Sequence, residues 1–219
     1  MVRTELNRVT AMLLSVLMIL SSFSIVTTLQ AEAETVKEQT TIHLLDTDIK
    51  WAKTVSFEEP YSTKTWTFYQ GQERKNLRTA EGKVAYCVQP GTWMWDFVNN
   101  RAPELSTGNA SVWNSIKKSD KIKAIKLALY FGYPNNNITA IYGNRFGTLK
   151  GTAAEREVAT QLVLWEFILG YRDPYDFTLT DSRFIKGMFG DNYSTNPQNA
   201  GVFEAYKQII QAINHWEFL

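Results

Sequence analysis

The chain contains one cysteine, Cys87, in the run Lys83-Val-Ala-Tyr-Cys-Val88. A thiolate is the soft nucleophile among protein side chains, but a free thiol ionises near about 8.5, so at neutral pH that form is the minor one. The run alternates, with Val84, Tyr86 and Val88 on one face and Ala85 and Cys87 on the other, as in a strand. Pro90-Gly91 ends it. Beside small Ala85, Cys87 leaves room for another element to approach, without identifying that element. Taken alone, Cys87 reads first as a buried inert thiol, as one half of a bond between chains or as an accident of sequence, and only after these as a reactive group. His43 and His215 are the only imidazoles that could serve it as a base. A Cys hydrolase would need one of them, yet no protease signature surrounds Cys87.

Gln161 is the second residue of interest. Ala154, Val158, Gln161, Trp165 and Ile168 step by four and three and so share one helical face. Leu162, Val163, Leu164, Phe167 and Leu169 fill the other faces, so the helix is expected to be buried nearly all round. A buried carboxamide must be hydrogen-bonded, and the ordinary expectation is a core Gln bonded to a backbone group.

The elements that would position these residues follow from periodicity and punctuation. Lys64-Thr-Trp-Thr-Phe-Tyr69 alternates as a strand, with Trp66 and Phe68 on one face; the charged stretch 72–78 and Gly82 read as turns. Lys121 to Phe131 carries Ile122, Ile125 and Leu129 at helical spacing and stops at Gly132 and Pro134. Thr152 and Glu155 form a capping box that opens a helix running to Leu169, closed by Gly170. A last helix is expected to start at Asn196-Pro197, with the stripe Val202, Tyr206, Ile209, Ile213 and Trp216. Strands first and helices later argue for an α+β fold.

Composition narrows the function classes. Hydrophobic residues make up 44% and aromatics 13%, enough for a real core. Net charge is +1, leaving no basic excess for nucleic acid. Two His and one Cys cannot build a His/Cys zinc site, and no cofactor is expected. Lys117, Lys118, Lys121, Lys123 and Lys126 read as a solvated helix face. At the N-terminus, Arg3 and Arg8 precede an apolar run from Ala11 to Leu20, followed by Ala31-Glu-Ala33. This reads as a signal peptide over residues 1–33 cleaved after Ala33, leaving 34–219 as an exported domain with no membrane span. Exported chains usually pair their cysteines, which sharpens the question of Cys87.

Tyr86-Cys87-Val88, followed by Thr160-Gln-Leu-Val-Leu-Trp165, resembles the thioester domains of Gram-positive surface adhesins. Leu127-Ala-Leu-Tyr-Phe-Gly-Tyr133 and the late helix Ala205 to His215 are similar too, so the resemblance covers roughly Ile42 to His215 in order. It implies antiparallel strands in a β-sandwich or barrel-like part, a helical subdomain, and a Cys-bearing strand packed on a Gln-bearing helix. It implies that Cys87 and Gln161 carry an internal thioester, with Tyr86, Thr160 and Trp165 supporting. A lysine amine of a host surface or matrix protein would attack Gln161 and leave an amide bond, a single-use reaction rather than turnover. The apolar neighbours Trp165 and Val158, with Trp93 or Trp95, would shield the bond from water. Family members usually continue into further strands, stalk domains and a wall-sorting signal, so the domain is expected to be trimmed at its C-terminal end. The alternative is a non-covalent adhesin or carbohydrate-binding module that uses exposed aromatics, with Cys87 a bystander.

Overall fold

A computed structural model describes residues 42–58, 65–79, 81–88, 116 and 120–216. The expected leader over residues 1–33 lies outside them, as do Trp93 and Trp95 and the side chains of His43 and Trp66. Along the described residues the strands precede the helices: β1 Ile42–Lys50, β2 Val55–Glu58, β3 Thr65–Phe68, β4 Glu73–Thr79, β5 Val84–Ala85, α1 Lys121–Phe131, α2 Ile138–Tyr142, α3 Ala153–Leu169, α4 Arg183–Phe189 and α5 Ala200–Asn214. The fold is α+β. One antiparallel sheet has the order β1-β4-β5, and β2 and β3 form a separate antiparallel pair. No closed barrel forms among the described residues.

The core lies around α3. Its residues from Glu157 to Ile168 are all buried, as the apolar run requires, and only the first turn with Ala154 is exposed. The Thr152 hydroxyl accepts from the Glu155 N–H and the Glu155 carboxylate accepts from the Thr152 N–H, completing the capping box. Gly170 closes the helix in the left-handed conformation. Lys121 reaches from α1 to donate to the Ile168 carbonyl at 2.8 Å, satisfying one of the orphan acceptors of that end. On α5 the stripe of Val202, Tyr206, Ile209 and Ile213 is buried against the core.

Three sequence expectations are corrected. The stretch 72–78 is a central strand, β4, and not a turn. The last helix begins at Ala200 rather than Pro197, because the Gln198 N–H bonds Phe189 O and the Asn199 amide reaches Lys50 O, holding the approach outside the helix. The strand containing Tyr86 stops at Ala85, so Cys87 lies two residues beyond β5. Its backbone groups are taken by α3 instead.

Candidate functional site

The backbone of Cys87 and the side chain of Gln161 pair like two amides in a ladder, although 74 residues separate them. The Cys87 N–H donates to Gln161 Oε1 at 2.8 Å, and Gln161 Nε2 donates to Cys87 O at 2.8 Å. This pair of hydrogen bonds fits the carboxamide in one orientation, since only Oε1 can accept from an N–H and only Nε2 can donate to a carbonyl. It also closes a ring in which the Cys87 Cα, bearing the thiol arm, stands across from Gln161 Cδ. Gln161 is 0% exposed, while Cys87 is half-buried. The carboxamide is thus a satisfied core group, as expected, and its backbone partner is the one residue that carries a thiol.

Trp165, one turn further along α3, donates its indole N–H to the same Cys87 carbonyl at 2.8 Å. Its ring stacks on Phe68 and lies near Trp51. The shielding expected of Trp165 is therefore joined by a direct hold on the Cys87 peptide. Tyr86 and Thr160 converge on Tyr133. The Tyr86 hydroxyl donates to Tyr133 O, and the Thr160 hydroxyl accepts from the Tyr133 N–H at 2.9 Å and donates to Arg156 O at 2.8 Å. Burial raises the pKa of Tyr86, keeping its phenol neutral. Gly132 allows this approach: a Cβ there would stand 2.4 Å from Thr160 Cγ2. The end of α1 is thereby pinned to both the Cys segment and the Gln helix.

Arg74, on β4, was not singled out in the sequence. It is 8% exposed, its Nη2 lies 3.2 Å from Gln161 Oε1, and its guanidinium sits 5.0 Å from the Trp165 ring centre. Burial lowers its pKa to about 10, against the opposing influence of Cys87, Glu157 and Tyr86, so it remains a cation at neutral pH. Arg78, four residues on, forms a two-pronged ion pair with buried Glu157 at 2.5 Å for each bond. The signal that finds Arg74 is alternation within the charged run: residues 74, 76 and 78 share a strand face.

His215 caps α5, its Nδ1 2.9 Å from Gln211 O and its ring edge-on to Phe146. A cleft of about 420 Å³ between the β2–β3 pair and the end of α3, lined by Ser56, Glu58, Thr65, Asp181 and Arg183 among others, involves neither Cys87 nor Gln161. Among the described residues no group of three or more His, Cys, Asp or Glu could hold a metal, and no helix is long and apolar enough to cross a membrane.

The chain belongs to the thioester domain family, which it matches over residues 84–215, more than half its length. That family is one of covalently binding surface adhesin domains. No curated protein and no solved structure matches the chain.

Proposed function

We propose that this chain is an adhesin domain that stores an internal thioester between Cys87 Sγ and Gln161 Cδ and spends it on a lysine amine of a host surface or matrix protein. The observation that supports the reading is the two-way pairing of the Gln161 carboxamide with the Cys87 backbone, which holds the residue that carries the thiol against the residue that carries the acyl carbon. Positioning of that kind can supply several kcal/mol of barrier reduction.

In the forming step the Cys87 thiolate attacks Gln161 Cδ and a C–S bond forms. The C–N bond then breaks, and the nitrogen takes the proton given up by the thiol and leaves as ammonia. In the second step the partner's amine attacks the same carbon. A C–N bond forms, the C–S bond breaks, and the amine's proton returns to the Cys87 sulfur. Gln161 is consumed, so the domain acts once. Burial of Gln161 favours this chemistry by keeping bulk water from the acyl carbon. Residues 1–33 serve as an export leader removed after Ala33, and N-terminal sequencing of the secreted protein tests that boundary.

The reading is tested by incubating the secreted protein with methylamine and mapping the product. A single adduct at Gln161, with the Cys87 thiol newly titratable and neither change in Cys87→Ala, is the expected result. If binding to a host partner survives Cys87→Ala and is released by denaturant, the domain is a non-covalent adhesin instead.

A further inference from the structure

Arg74 presents an energetic puzzle. Its guanidinium is buried, its Nε has no hydrogen-bond partner among the described residues, and its Nη2 donates to the oxygen of a neutral carboxamide at 3.2 Å. The buried carboxylate close by, Glu157, is already engaged two-pronged by Arg78. A buried cation facing a neutral carbonyl is poorly compensated. Compensation would arrive if that oxygen became negative, and Gln161 Oε1 does so when a nucleophile adds to Cδ.

The geometry points to an oxyanion hole on Gln161 Oε1, built from the Arg74 guanidinium and the backbone N–H of Cys87. This rests on the thioester reading and extends it. The two donors lie 3.2 and 2.8 Å from the oxygen before any bond is made. As Sγ bonds to Cδ, the carbonyl electron pair moves onto Oε1, where one cation and one dipole already point; as nitrogen departs, the pair returns to reform C=O. Oε1 is retained in the thioester, so the same two donors polarise it when an amine attacks. Because the donors are fixed by β4 and by the Gln161 pairing, they need no reorganisation during the reaction and bind the tetrahedral species better than the ground state. Arg74 lies outside the family-matched segment 84–215 and is supplied by a separate part of the chain.

The test compares wild type, Arg74→Lys and Arg74→Met. Three quantities are measured: the rate of ammonia loss after refolding, the rate of methylamine opening, and the thioester carbonyl stretch in the infrared difference between intact and methylamine-opened protein. Loss of one oxyanion donor costs about 10²–10³-fold in rate. Arg74→Met is expected to slow both steps to that degree while Arg74→Lys recovers part, and the carbonyl stretch is expected to lie below that of a thioester in water and to rise in Arg74→Lys. The wild-type infrared measurement stands even if Arg74→Met does not fold, and a wild-type frequency equal to that of a free thioester overturns the inference. So does a folded Arg74→Met that keeps both rates. Slowing of ammonia loss alone, with its pH midpoint shifted, also overturns it, since Arg74 would then act on the thiolate. A wild type that never loses ammonia sinks the parent reading, and that result is visible without any variant.

Discussion

The Thr160 hydroxyl is fully buried and serves two backbone groups at once, accepting from the Tyr133 N–H and donating to Arg156 O. Thr160→Val keeps the shape and leaves the Tyr133 N–H without its acceptor. It is expected to destabilise the fold by about 1–3 kcal/mol in urea denaturation, with Thr160→Ser closer to wild type. At this scale the sequence is legible where residue type is restrictive. A single Cys and a Gln inside an apolar stripe are conspicuous, and the two are hydrogen-bonded to each other. Arg74 is not conspicuous, because a guanidinium in Glu73-Arg-Lys-Asn-Leu-Arg78 carries every mark of an exposed side chain. Its burial depends on Trp165 and Gln161, roughly ninety residues away, so alternation marks the strand face it shares with 76 and 78 but not that this face is covered.

Among elements, the long helices are legible because their signals are local: a capping box, a left-handed glycine and an apolar stripe place α3, and apolar spacing places α1. The strand β4 is illegible because its charges are satisfied across the sheet and by α3, as in the Arg78–Glu157 pair. The β5 strand ends early because the Cys87 backbone bonds a side chain in place of a neighbouring strand. Two contacts between elements give measurable consequences. A Cβ at Gly187 of α4 would stand 1.8 Å from Val55 Cγ2 of β2. Gly187→Ala is expected to cost about 1–3 kcal/mol by overpacking, and adding Val55→Ala should recover part of it in urea denaturation. Glu166 of α3 accepts from Arg172 Nε at 2.9 Å and from the Tyr206 hydroxyl of α5 at 2.7 Å. Burial raises the Glu166 carboxyl above its ordinary 4.5, against the pull of Arg172 and Tyr206. The folded state therefore binds this proton more tightly than the unfolded chain. Its contribution to stability is complete below pH 4.5 and is lost as pH rises through the raised folded value. Glu166→Gln does not titrate there, so the stability of wild type relative to Glu166→Gln should fall as pH rises across that window, read by denaturation at pH steps.

For the whole molecule, the proposed bond would tie the end of the sheet region to the central helix across 74 residues. By analogy with a disulfide loop of that size, closure is worth on the order of 4 kcal/mol. Methylamine opening of the wild type should lower its unfolding free energy by about that amount, while Cys87→Ala, which cannot close the loop, should be unaffected by methylamine. Reaction with a partner would then relax the domain that made it. The most direct test of the central claim is the intact mass of the freshly secreted protein. Wild type is expected to weigh one ammonia less than its processed sequence, with Cys87→Ala and Gln161→Ala at full mass. A wild type at full mass that also takes up no methylamine would contradict the thioester between Cys87 and Gln161.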